Sequence, residues 1–420
     1  MPNILGTNLA NTLVKISFIA VLFTAFYSLN IGYPSFPYFD EAHYVPAARG
    51  IASLTAYTET THPPLGKILI AGSIRVFSDQ PWAWRLPSLV LGGFATALAG
   101  YLAFMLSGSW VMFWLTSFLL MLDGLWITQA RAGLLNTPMV FFILSALILW
   151  RQGHAAPAKR RNFWIAAAIC SGLAAACKWQ GTLVILIPPL FYLLSGKAER
   201  PTGTLKGRWT AYLLLAMIGT YFLTFLIIPF IQGMGWSDIW RLQYEMAHYH
   251  LYEQNEFFRY QSPWYTWPFL IRPIWFGFLR ETPNLPLSEQ VIRGTICLGN
   301  PAIFLLISPA MVWIAAQWYQ RRDALTTLTL TGLLVFWIPS GLVSRYTMFN
   351  HFYPALPFAI IGVAAMLRRL LNDKREFAPL AANILMLLII FTFAFFYPLW
   401  VGLSIPDHFY RMHLWLPRWT

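Results

Sequence analysis

Leu13-Val14-Lys15-Ile16-Ser17-Phe18-Ile19-Ala20-Val21-Leu22-Phe23-Thr24-Ala25-Phe26-Tyr27-Ser28-Leu29 is an almost unbroken apolar run, and Phe39-Asp40-Glu41-Ala42-His43-Tyr44 stands a few residues beyond it. A helix needs ~20 mostly apolar residues to cross a bilayer, so the run reads as a transmembrane span. No convincing small-x-small cleavage pattern follows it. It is therefore read as a retained first helix rather than a signal peptide. Two adjacent carboxylates just past a span are costly to keep ionised, and boundary acids are functional candidates by default.

The rest of the chain extends that reading. Of 420 residues, 58% are hydrophobic and only 11% are charged, against roughly 25% charged in soluble domains. Apolar segments recur at 13–30, 85–106, 109–124, 136–150, 163–178, 180–195, 209–231, 299–319, 324–343, 352–370 and 378–402, eleven in all. They are too long for barrel strands, and their backbone groups must pair internally. The expectation is an all-α polytopic membrane protein of about 11 transmembrane helices, forming one integral membrane domain over 1–420. Segment 66–77 is too short to span and carries Lys67 and Arg75, so it is expected as an interfacial helix on the outer face. Cys170, Cys177 and Cys297 show no metal-ligand spacing and no disulfide framework.

Four short connections are strongly basic: Arg151 to Arg161, Lys197 to Arg208, Arg321-Arg322, and Arg368 to Arg375. The positive-inside rule puts all four in the cytoplasm, and eleven spans with a cytoplasmic N-terminus satisfy every one. These loops hold most of the net charge of +13. The basicity is thus a topology signal and not a nucleic-acid footprint. The first outer loop, 31–84, and the large outer loop, 232–298, then lie on the opposite side, and 299–420 forms a C-terminal four-helix region.

The chemistry collects on that outer side. Asp40 and Glu41 can serve as a helix cap with an acidic first turn, or as a general base toward a hydroxyl. His62-Pro63-Pro64-Leu65-Gly66-Lys67 opens a helix whose free N–H groups and lysine suit a phosphate. The same segment also reads as a proline-capped interface helix with a snorkelling lysine. Asp123 to Arg131, with Gln129, sets a cation between two spans, where it can meet a lipid phosphate or anchor at headgroup level. Lys178-Trp179 reads first as an interface anchor. Tyr260, Trp264 and Trp267 form an aromatic loop able to stack on sugars. Arg345 and His351 add two more possible phosphate contacts. One acidic pair and several cations suit attack by a hydroxyl on a sugar carried by an anionic lipid, the cations stabilising the departing phosphate. No HExxH, GxSxG, P-loop or GxGxxG motif is present. The polar groups gather at one face without an internal repeat, which argues against a transporter with a midplane site.

In its motifs the chain resembles the protein O-mannosyltransferase family (glycosyltransferase family 39), which has the GT-C fold. The resemblance rests on Phe39-Asp40-Glu41-x-His43, His62-Pro63-Pro64-Leu65-Gly66-Lys67, Asp123 through Arg131 and Lys178-Trp179-x-Gly181. It continues through Ser262-Pro263-Trp264, Trp267-Pro268, Arg272-Pro273-Ile274-Trp275, Leu298-Gly299-Asn300-Pro301 and His351-Phe352-Tyr353-Pro354-Ala355-Leu356-Pro357. The Asp-Glu and His-Pro-Pro elements also recur in aminoarabinose transferases. The resemblance implies inverting transfer of a sugar, mannose in the first place, from a polyprenyl-phosphate donor to a Ser or Thr hydroxyl of a secreted protein. A lipid or glycan acceptor is the alternative. It implies Asp40 as base, with Glu41 orienting Asp40 or the acceptor. His62, Lys67, Asp123, Gln129, Arg131, Arg345, His351 and Tyr353 would serve the donor, and Tyr260, Trp264 and Trp267 the acceptor side. It further implies no cofactor and no obligatory metal. The expected partners are the lipid-linked sugar, an acceptor protein or glycolipid and membrane lipids, with no nucleic acid; a dimer is compatible with it. The expected setting is a bacterial inner membrane, with the active site on the outer, periplasmic face. Three departures are visible. Asn136 stands where the family has an acid, Phe258-Arg259-Tyr260 replaces a His-Pro-Tyr element, and 232–298 is too short for the β-trefoil domain of eukaryotic members.

Overall fold

A computed structural model of the chain describes residues 9–199, 207–252, 258–286, 289–343 and 346–419. The first apolar run is α1 (Leu9–Ser28), and two short helices follow it, α2 (Glu41–Ser53) and α3 (Leu65–Phe77). Next come α4 (Pro81–Ser107), α5 (Trp110–Met121), α6 (Gly124–Arg131), α7 (Asn136–Ala155) and α8 (Arg160–Cys177). A 3-10 stretch, Trp179–Leu186, runs into α9 (Ile187–Leu194), and α10 (Gly207–Leu223) continues as a second one, Thr224–Phe230. Segment 232–298 holds α11 (Trp236–Tyr252), β1 (Ile274–Arg280) and β2 (Val291–Cys297). The C-terminal region comprises α12 (Pro301–Arg321), α13 (Ala324–Trp337), α14 (Leu356–Leu371), α15 (Phe377–Val401), β3 (Ser404–Pro406) and α16 (Asp407–Met412).

All eleven apolar segments fold as helix. By length and apolarity alone, 6 described helices can cross a membrane, or up to 7 if α5 and α6, bent by 68° at their junction, count as one. The others fall short for visible reasons. Arg151 and His154 stand in the last turns of α7, Arg160 and Arg161 open α8, and α14 has only 16 residues. As expected, α3 is a short helix of 13 residues.

The expectation of an all-α protein is corrected by a three-stranded antiparallel sheet in the order β1-β2-β3. Ile274 pairs with Cys297 and Arg280 with Ile292, with a bulge between Trp275 and Gly277. Both strands are rich in aromatic and β-branched residues, which fit a pleated, half-buried surface. β3 joins β2 from far along the chain, Val291 opposite Pro406 and Arg293 opposite Ser404.

Close helix approach depends on small residues, as in other membrane bundles. A Cβ on Gly93 of α4 would lie 2.6 Å from the Ala20 carbonyl oxygen of α1. One on Gly124 would lie 2.0 Å from the Trp400 ring, which fills the α5–α6 bend. That bend is tied down by buried polar groups. Asp123 caps α6 by accepting from Trp126 N at 3.0 Å, and also accepts from Asn300 N at 2.9 Å. The Asn300 amide donates to the carbonyls of Leu122 (2.9 Å) and Ile389 (3.1 Å). The Asp123 and Leu298-to-Pro301 motifs therefore meet in space and lock α6, α12 and α15 together.

Candidate active site

Asp40 immediately precedes α2, yet its side chain makes no capping bond. Instead the Tyr44 hydroxyl donates to its carboxylate at 3.5 Å. Asp40 is half-buried. Burial pushes its carboxyl above the usual value, while the charges of Lys178 and His43 pull it down. Asp40 thus stands at the N-cap position of α2 without making the side-chain bond of a cap.

Glu41 has the opposite surroundings. It is fully buried and grips the Arg85 guanidinium with both oxygens at 2.8 Å. It also accepts from Gly133 N at 2.7 Å. Arg85 in turn donates to the carbonyls of Ile31 and Pro34, both at 2.9 Å. This clamp fixes the 31–39 loop against α4 and the α6–α7 turn. Glu41 has no surface from which to touch an acceptor. Its action on Asp40 is through the backbone they share.

Several cations expected at the donor phosphate are held by the protein itself. Lys67 is fully buried, with its ammonium 2.5 Å from Glu59 and 2.8 Å from the His62 carbonyl. Burial draws it down to about 8, while Glu59 holds it up against that. Arg131 donates to the carbonyls of Tyr27, Leu29 (2.8 Å) and Val401 (3.3 Å). It pins α6 to the ends of α1 and α15. Gln129 accepts from Asn136 at 2.8 Å, and Tyr353 meets Thr137 at 3.2 Å while stacking on Trp126 at 4.8 Å. Asp123, Gln129 and Tyr353 are thus each held by hydrogen bonds within the bundle. Arg345 lies outside the described residues.

The aromatic loop is folded inward as well. Trp267 is buried and donates to Ser262 Oγ at 3.1 Å. Trp264 packs on Trp337 at 5.6 Å, and its carbonyl accepts from the Trp337 indole at 3.0 Å. Tyr260 is half-exposed beside Phe258.

What remains is a cavity of about 290 Å³ whose polar wall is formed by His62, Lys178, Gln180, His250 and His351. Lys178 is a correction to the anchor reading. It is buried in this wall, and its charge acts on Asp40. His351 Nδ1 accepts from Met348 N at 3.0 Å, so the neutral ring carries its proton on Nε2. Three imidazoles and an ammonium in one wall can hold a phosphate, and the Lys178 charge felt by the Asp40 carboxyl links that wall to a group able to take a proton from a hydroxyl. Arg85, Glu59 and His250 are missing from the motif reading. Each is a lone ionisable residue without motif spacing, and only Arg85, at the outer start of a span, carried any positional signal. Among the described residues no group of three or more His, Cys, Asp or Glu side chains has a metal-binding arrangement.

The fold is like that of the GT-C membrane glycosyltransferases. The Saccharomyces cerevisiae protein O-mannosyltransferase Pmt1-Pmt2 complex bound to the sugar donor matches with a TM-score of 0.81 at 13% identity, over 98% of this chain and 93% of that one. ArnT from Cupriavidus metallidurans bound to undecaprenyl phosphate matches at 0.57 and 16% identity, over 90% of this chain and 64% of that one. In sequence, the dolichyl-phosphate-mannose-protein mannosyltransferase domain matches residues 75–237, and the C-terminal four-transmembrane region of protein O-mannosyltransferase matches 235–419. The chain belongs to the protein O-mannosyltransferase family. The polyprenol-phosphate-mannose–protein mannosyltransferase of Mycobacterium tuberculosis (strain CDC 1551 / Oshkosh) is 24% identical over 91% of this chain and 86% of its own length.

Proposed function

We propose that the chain transfers mannose from a polyprenyl-phosphate-mannose donor to Ser or Thr hydroxyls of proteins, at the outer face of a bacterial inner membrane. The observation that carries this is Asp40: a partly buried carboxylate whose side chain makes no capping bond and which feels the charge of Lys178, a lysine in the wall of a histidine-lined cavity. In the proposed step the Asp40 carboxylate accepts the proton of the acceptor hydroxyl. The hydroxyl oxygen forms a bond to the anomeric carbon from the face opposite the phosphate. The bond from that carbon to the phosphate oxygen breaks, and its electron pair leaves with the polyprenyl phosphate. Lys178 and the cavity histidines meet the charge on that phosphate. The resemblance implies no obligatory metal, and the step uses only the chain's own groups. The names of the mycobacterial relatives support the donor and the protein acceptor.

Incubating the purified protein with polyprenyl-phosphate-mannose and a Ser/Thr-rich peptide is expected to add one hexose mass to the peptide. Transfer only to a lipid or glycan hydroxyl would overturn the protein acceptor.

We read the eleven helical segments as eleven spans with the N-terminus in the cytoplasm. In a Cys170→Ala background, Lys159→Cys is then expected to label only after the membrane is permeabilised. Labelling from outside would reverse the topology.

A further inference from the structure

Among the described residues, the large outer loop reaches the cavity through one side chain, His250 of α11. That helix buries Ile239, Leu242 and Met246 on one face. His250, near its end, has Nε2 3.0 Å from the Thr61 carbonyl oxygen. A carbonyl only accepts, so Nε2 donates. The His250 ring lies 5.5 Å from the His62 ring, at 30°. On its other side the Trp179 ring is also 5.5 Å away. His62 is 6.0 Å from the Tyr44 ring, and the Tyr44 hydroxyl reaches Asp40. A ladder of rings thus runs Trp179, His250, His62, Tyr44 and ends on the carboxylate. It joins the start of the 3-10 stretch after α8, the outer helix α11, the turn before α3, and α2.

The turn that carries His62 is braced from within its own stretch of chain and from α11. Lys67 of α3 and the Tyr57 hydroxyl donate to the His62 carbonyl, and Glu59 accepts from Thr61 N. His250 is the brace from the distant helix: it holds the Thr61 carbonyl and its ring lies against that of His62. We propose that His250 is a positioning residue, fixing the Thr61-His62 turn so that the His62 imidazole meets the phosphate of the donor. The inference rests on the polyprenyl-phosphate-sugar reading above. With the Nε2 proton engaged by Thr61, His250 acts through His62. The Thr61 contact then needs an N–H at that point, which glutamine can supply and phenylalanine cannot.

The test compares His250→Ala, His250→Gln and His250→Phe with the wild type, using polyprenyl-phosphate-mannose and a Ser/Thr-rich peptide. His250→Ala is expected to raise the donor KM about tenfold, the scale of one lost hydrogen bond. Its kcat should change by less than about threefold and its peptide KM should not move. The glutamine variant should recover most of the donor KM, while the phenylalanine variant, which keeps a ring but donates nothing, should match alanine. In a His62→Ala background, His250→Ala should add nothing further. A wild-type donor KM in His250→Ala, a glutamine variant no better than phenylalanine, or additive effects with His62→Ala would each overturn the inference. Melting temperatures report folding, and if the alanine variant does not fold, the contrast of glutamine with phenylalanine decides. If the wild type transfers nothing, the functional reading falls by itself. The affinity for polyprenyl phosphate alone, followed by tryptophan fluorescence, then must still rank the variants in the same order, and a flat ranking overturns the inference.

Discussion

Asp40→Asn is expected to lower turnover about 10³-fold while leaving donor affinity and melting temperature close to wild type. Asparagine keeps the shape and can still meet the Tyr44 hydroxyl, but it cannot take a proton. General-base catalysis contributes roughly 10²–10⁴, which sets the size of the loss. The pH profile should carry the same signature. Burial raises the Asp40 pKa, and only the ionised form is a base. The rate therefore falls as pH drops through a value above the ~4 of an exposed aspartate. A wild-type rate in Asp40→Asn would remove Asp40 from the chemistry even with the fold intact.

Glu41→Ala, one residue along, should do the reverse. It leaves the Arg85 guanidinium fully buried without its counter-charge. Breaking a buried pair from one side typically destabilises by about 3–5 kcal/mol, so a large fall in detergent melting temperature is expected, with activity lost through unfolding. Adding Arg85→Met should recover only part of the loss. Removing both charges relieves the unpaired cation, but the Ile31 and Pro34 carbonyls then lose their donors. A Glu41→Ala protein with an unchanged melting temperature would contradict the clamp. Together the two variants separate a chemical role from a structural one within a single dipeptide.

The contrast shows what the sequence could and could not convey. Helical segments were legible because apolar length is a local property and a bilayer demands it. Asp40 was legible as a boundary acid. Lys67 and Arg131 were legible as outward cations, but a cation in a sequence does not say whether its anion is a ligand or a neighbour. Here the partners are Glu59 and three carbonyls brought from α1 and α15. The Arg131 contacts reach across 102 to 270 positions and the Lys67–Glu59 pair across only 8, and no spacing announces either. Glu59, Arg85 and His250 are single residues outside any motif, so their roles emerge only when α3, α4 and α11 converge. The sheet was hidden for a related reason. Ile274 to Arg280 and Val291 to Cys297 are short runs in a loop that read as aromatic and apolar decoration until their register is seen.

The pairing of β3 with β2 has a consequence for the order of assembly. Ser404 to Pro406 reach Arg293, Ile292 and Val291 only after four helices of intervening chain, α12 to α15, have been made. The centre strand therefore keeps one edge open until the last long helix has been made. During that interval the unpaired edge is a template for stray strands. Synthesis of α15, rather than local folding within 232–298, thus limits when the sheet can be completed.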